Sequence, residues 1–204
     1  MIDTPGFDDT ERSDTEILTL IADWLRDSYD SGTFLSGIIY LHRISDVRMM
    51  GSAISNLRMF RKLCGPDNLT SVHLVTTMWD KVTKEEGERR ESDLTGPNGF
   101  WSAMVASGCV VERHDGSPES AQALMFELVR QSPFVVGMQK EMAAGKTLIE
   151  TEAGSSLNEE LIKMQRKYEE ELAAIKEETE IAIKTGRFSG SSLVSPKLQV
   201  LAFE

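Results

Sequence analysis

The sequence predicts an α/β fold built on a parallel sheet, and three observations carry that prediction. Three short apolar runs, Leu35–Leu41, Val72–Thr76 and Cys109–Val111, read as buried strands. Segments with helical periodicity and helix-start signals alternate with them, the pattern of a parallel sheet in an α/β layer. The 204 residues are 40 % apolar and 27 % charged, which excludes collagen-like, low-complexity and wholly disordered chains.

Each element has a local cause. Ser13 followed by Glu16 is a capping box, and Ile17, Leu18, Ile21, Ala22 and Leu25 recur at helical spacing up to Tyr29, with Gly32 as the stop. The first strand, Leu35–Leu41, runs into the polar segment His42–Asp46. A helix then spans Ser52–Leu63 and is closed by Gly65-Pro66. After the strand from Val72, Thr83 with Glu86 caps a helix that dissolves near Gly96-Pro97. A short helix follows over Phe100–Ala106. Beyond the third strand, Ser117-Pro118-Glu119 opens a helix to Val129, with proline just after the cap. Past Val135 the strand signals stop. Leu157, Leu161, Met164, Tyr168, Leu172, Ile175, Thr179 and Ala182 recur at steps of three and four, with Glu169–Glu171 and Glu177–Glu178 on the remaining face. That stripe reads as a long solvated helix packing back on the domain, or as a self-associating coiled coil. Ser189-Gly190-Ser191-Ser192 marks a linker-like tail.

Charge narrows the partners. With 22 basic and 33 acidic residues the net charge is −11, which disfavours a nucleic-acid backbone and an anionic membrane surface. A single nucleotide stays open, because local N–H groups can hold a phosphate whatever the global charge. No apolar run approaches the ~20 residues of a membrane-spanning helix. The start of the chain shows neither a basic region nor an apolar stretch of signal-peptide type. Two cysteines fit a reducing compartment, so a cytoplasmic location is expected. His42, His73 and His114 show no metal-ligand spacing and read as loop or surface residues. Cys109 and His114 lack an oxyanion partner for thiol catalysis, and Asn68-Leu69-Thr70 fits a glycosylation acceptor that a cytosolic chain leaves idle.

Two segments carry recognisable chemistry. Asp3-Thr4-Pro5-Gly6 has the D-x-x-G form in which a carboxylate orients Mg²⁺ through water and a glycine N–H approaches a γ-phosphate. Thr76-Thr77-Met78-Trp79-Asp80 directly follows the second strand. An aspartate just beyond a parallel strand sits where ligands bind in open α/β sheets, and its two oxygens can accept from N1–H and N2–H of guanine. Alone, the first also fits an ordinary turn and the second a helix-start residue. In this order, Asp3-Thr4-Pro5-Gly6-Phe7-Asp8-Asp9-Thr10 and Thr77-Met78-Trp79-Asp80 resemble the third and fourth motifs of the G-domain GTPases. The similarity is to their septin-related, immunity-associated branch and most closely to fungal members. Arg43-Ile44-Ser45-Asp46 is similar to that branch's R-[FY]-T-x-E box, and Arg113-His114-Asp115 falls where a fifth, base-backing loop would lie.

The resemblance covers residues 1–130 or so, and its implications are specific. It implies a three-layer P-loop-type G domain lacking its N-terminal strands over residues 1–131; beyond it the residue pattern reads as a helical extension over 132–185 and a flexible tail over 186–204. It implies GTP or GDP as ligand, with Thr77, Asp80, His114 and Asp115 at the base and Asp3 and Gly6 at the phosphate end. Mg²⁺ would be held indirectly by Asp3, and Phe7, Asp8, Asp9 and Thr10 would form a switch. Homo-oligomers through the G domain or the 157–182 helix are expected.

Departures from the pattern limit the activity. Met78 stands where [NT]-K-x-D has lysine, and Phe7 follows Gly6 where Ras-like enzymes place the water-orienting glutamine. No G-x-x-x-x-G-K-[ST] precedes Asp3. Gly145-Lys146-Thr147 is no substitute, since Lys140 stands where that motif needs glycine and the segment reads as helical. Hydrolysis is therefore not expected of this chain, and the expectation is that it belongs to a longer G domain in which Met1 is internal. The alternative is a non-catalytic scaffold acting through the Leu157–Ala182 helix.

Overall fold

The computed structural model of the chain describes residues 1–7, 11–47, 51–158, 171–176 and 179. The chain divides into two compact units, Met1–Glu160 and Leu161–Glu204. The first contains α1 (Asp14–Asp30), β1 (Ile38–Arg43), α2 (Gly51–Cys64), β2 (Val72–Thr77), α3 (Lys84–Thr95), α4 (Ser102–Ala106), β3 (Val110–Arg113), α5 (Pro118–Val129) and α6 (Gly137–Ala143). Short 3₁₀ turns lie at Pro66–Ser71, Trp79–Lys81 and Leu148–Glu150. Residues 152–158 are helical again. In the second unit residues 171–176 are helical, and the Thr179 hydroxyl donates to the Ile175 carbonyl at 2.7 Å. Leu161, Met164, Tyr168 and Ala182 of the predicted stripe, and the 186–204 tail, lie outside the described residues.

The fold is α/β, and the sheet is parallel throughout in the order β1-β2-β3. Ile38 faces Val72 and Arg43 faces Thr77, while His73 faces Val110 and Thr76 faces Arg113. Because side chains alternate across a strand, this register sorts residues onto two faces. Ile38, Tyr40, Val72, Leu74 and Val111 share one face, and all belong to or pack against a single apolar cluster. That cluster takes in Leu18, Ala22 and Leu25 of α1, Leu57 and Phe60 of α2, Leu94 of α3, Trp101, Met104 and Met138. Ile39, Leu41, His73, Val75, Val110 and Glu112 share the other face. There α5 passes so close to the start of β1 that a Cβ at Gly37 would lie 2.1 Å from Leu128 Cδ2.

Helix starts follow the predicted caps. Ser13 and Glu16 form their reciprocal capping box, Thr83 accepts from the Glu86 N–H at 3.2 Å, and Ser117 accepts from the Ser120 N–H at 3.1 Å. Several expectations are corrected. The first strand starts at Ile38 and extends through His42 and Arg43. Leu35, where it was expected to begin, instead makes an isolated antiparallel bridge to Phe134. His73 is no surface residue: it lies 2 % exposed in the central strand. Gly145-Lys146-Thr147 lies outside a helix, since Gly145 at φ +93° ends α6 and the Thr147 N–H and hydroxyl donate to Glu150. Residues 132–160 belong to the first unit, because Val136 and Met138 are fully buried and α6 packs on α1 and α2. The boundary expected at 131 is therefore absent.

Candidate functional site

Parallel strands bring their carboxyl ends to one edge of the sheet, so the His42–Asp46, Thr77–Asp80 and His114–Asp115 segments emerge side by side. Hydrogen bonds tie them together. The Thr77 hydroxyl donates to the His42 carbonyl at 3.3 Å, the Ile44 N–H to the Thr77 carbonyl at 2.9 Å, and the His114 N–H to the Thr76 carbonyl at 2.8 Å. Thr77, Asp80, His114 and Asp115 thus share one end of β2 and β3.

The loop after β2 turns sharply. Met78 adopts the left-handed conformation at φ 60°, which costs a non-glycine residue about 1 kcal/mol and so needs support from its surroundings. Successive side chains consequently part company. Trp79 points inward, donating its indole N–H to the Thr76 hydroxyl at 3.0 Å, while Asp80 points out with 62 % of its side chain exposed. A hydrogen bond from Lys81, at 2.8 Å, holds the Asp80 carboxyl below its usual range, so the group is ionised at neutral pH. An exposed ion pair of this kind is weak, and a competing ligand can displace the lysine.

The neighbouring loop is built as a helix entry. Asp115 accepts from the Ser117 N–H at 2.8 Å and the Ser117 hydroxyl at 2.6 Å, which together pull its carboxyl down to about 2. His114 places Nδ1 2.6 Å from the Ser120 hydroxyl. Both side chains are therefore engaged with the start of α5. The Arg43–Asp46 segment is held from the other side: Arg90 of α3 donates to the carbonyls of Ile44 and Ser45 at 2.9 and 2.7 Å, and pairs with Glu86. A cleft of about 330 Å³ opens there, lined in part by His42, Ile44, Asp46, Arg90, Leu94 and Phe100. Thr77, Asp80, His114 and Asp115 do not line it. Burial lowers the pKa of His42 in its wall, so the imidazole is neutral at pH 7.

The phosphate-end expectations fare differently. Asp3 and Gly6 lie in coil, and neither follows a strand, because Met1 and Ile2 are exposed and unpaired in any sheet. Phe7 is half-buried and packs against the apolar cluster. Asp8, Asp9 and Thr10 lie outside the described residues. Among the described residues no three His, Cys, Asp or Glu side chains are grouped to hold a metal ion.

Sequence reasoning missed two networks. In the first, Arg113 sits over the Trp79 ring at 4.3 Å and is bound by Glu91 of α3. In the second, His73 lies between Glu112, bonded to Nδ1, and Gln131, whose amide stands 3.1 Å from Nε2. A Gln131 amide donor makes Nε2 the acceptor and leaves Nδ1–H to donate to the Glu112 carboxylate. The available signal was strand alternation, which puts His73 on the Glu112 side once the register is known. Comparison with known proteins returns no match: no protein-family model fits the chain, and no curated sequence is significantly similar to it.

Proposed function

We propose that the chain recognises guanine nucleotides, reading the base with Asp80. The observation that carries this reading is the exposed, ionised Asp80 carboxylate just beyond the carboxyl end of the central parallel strand, beside the His114–Asp115 loop. Guanine offers N1–H and N2–H to the two carboxylate oxygens, and adenine presents no such pair of donors. Met78 of the same loop is 45 % exposed, and a thioether there could cover the flat of the base.

The phosphates contribute little in this reading. The sequence holds no G-x-x-x-x-G-K-[ST], and Asp3 and Gly6 stand in exposed coil. GMP, GDP and GTP are therefore expected to bind with affinities within about threefold of one another, with or without Mg²⁺, and no hydrolysis is proposed. Isothermal titration with GMP, GDP, GTP and AMP tests this. Guanine selectivity that Asp80→Asn weakens by about ten- to a hundredfold supports it, the loss expected for a charge-assisted hydrogen-bond pair. Equal binding of AMP, or no heat with any guanine nucleotide at millimolar concentration, overturns it.

A further inference from the structure

We infer that Trp79 is the positioning residue of the base-reading loop, held by a clamp that Gly87, Glu91 and Arg113 build from the two neighbouring elements. The inference rests on the guanine reading of Asp80 and deepens it. Among the described residues Asp80 is tied to Lys81, its immediate neighbour, and that pair is as exposed as the aspartate itself. Its place in space is therefore inherited from the residue before it.

Trp79 is fixed on three sides. Its indole N–H reaches the Thr76 hydroxyl at 3.0 Å and the Thr76 carbonyl at 3.3 Å, which pins the ring to the last turn of β2. One ring face receives the Arg113 guanidinium at 4.3 Å, a cation–π contact. The ring edge lies against α3, where a Cβ on Gly87 would come within 2.5 Å of Cζ3. Only glycine admits the ring at that spot.

The clamp is itself anchored. Arg113 Nε lies 3.0 Å from both oxygens of Glu91, its terminal nitrogen also binds Glu91, and Glu88 stands 3.8 Å away. Glu91 Oε1 also lies 3.3 Å from the Thr76 hydroxyl, which closes the circuit between β2, α3 and β3. Arg113 directly precedes His114 and Asp115. One cluster thus sets both the Asp80 loop and its distance from the neighbouring loop, the dimension a base inserted between them would have to match.

A purely structural tryptophan would affect folding and leave binding selectivity alone, so the test measures both. Trp79→Phe keeps a ring but loses the indole N–H; Arg113→Lys keeps the charge on a half-exposed side chain but loses the fork. Both are expected to weaken GMP binding at least tenfold and to lower the GMP-to-AMP affinity ratio while the melting temperature moves by only a few degrees. Gly87→Ala is expected to do the same alone, yet add nothing to Trp79→Phe, whose smaller ring leaves room for the methyl. That non-additivity is the signature of direct contact. Unchanged GMP affinity and selectivity in Arg113→Lys and Trp79→Phe would overturn the positioning role while leaving the base reading intact. Absence of guanine binding by the wild-type chain would overturn both.

Discussion

The two faces of the sheet are formed by the same three strands, yet they are chemically unlike. Toward α2 and α3, Tyr40 packs on Phe60 with ring centroids 5.0 Å apart, and Val72 and Leu74 are fully buried in a continuous apolar cluster. Toward α5, the central position belongs to His73 with its Glu112 and Gln131 partners. Leu41 stays 64 % exposed beside it, and α5 buries Leu124 and Leu128 while Phe126 and Val129 remain outside. The first face holds the chain together, and it is also the face into which Trp79 turns. The Asp80 loop thus draws its geometry from the better-packed half of the molecule, whereas the side chains of His114 and Asp115 are held by the start of α5.

Truncation of apolar side chains tests that division most strongly. Leu74→Ala, at a fully buried position, is expected to cost about 2–5 kcal/mol in urea unfolding, the range for large-to-small core changes. Leu41→Ser, one strand away on the opposite face, is expected to stay within about 0.5 kcal/mol. Similar losses for both would break the comparison.

The polar centre of the α5 face gives the next effect. Glu112→Ala strips the buried His73 ring of its acceptor and is expected to cost about 1–3 kcal/mol. Replacing both partners, as His73→Leu with Glu112→Leu, should recover much of that loss, because the buried ring is then gone and only the part-buried Gln131 amide loses a partner. A double variant as weak as the single one would show that the network does more than satisfy itself.

Cysteine chemistry probes the first face from within. Cys64 and Cys109 both belong to its apolar cluster, and burial pushes the Cys109 thiol up to about 11 and that of Cys64 higher still than its ordinary value. At pH 8 only about a thousandth of Cys109 is thiolate, and both residues are buried. A maleimide should therefore label the native chain slowly and both thiols promptly in urea. Rapid native labelling of Cys109 would show that the cluster opens.

How much of this was legible in the sequence depends on distance along the chain. Ser13, Thr83 and Ser117 announced their helices because capping is settled within four residues. The three strands stood out because each is a short apolar run between turn signals. What stayed hidden needed the register: His73 looked like a surface histidine until β2 was set against β3, where Glu112 supplies its partner. Trp79 read as a filler between Met78 and Asp80, since its meaning lies in Gly87 and Arg113. Residues 132–160 looked like part of an extension because α6 earns its place through contacts with α1 and α2, far away in sequence. At Asp3 the local pattern was clear, but Met1 and Ile2 before it are exposed coil and join no strand.

The smallest effect concerns the start of α5, the helix that covers the less-packed face. Asp115 has its carboxyl held down to about 2 by the Ser117 hydroxyl and N–H, against an ordinary value of 3.8. A depressed carboxyl stabilises the fold above its unfolded pKa and loses that contribution as the pH falls through the folded one. Its share is therefore complete above pH 4 and fades between about 4 and 2. Asp115→Asn removes the charge at every pH but leaves a side-chain oxygen able to accept the same bonds. The melting temperature of this variant should lie slightly below wild type at pH 6, and the gap should close toward pH 2. A constant gap across that window would mean that the turn is held by shape alone and that the charge of Asp115 contributes nothing to seating α5.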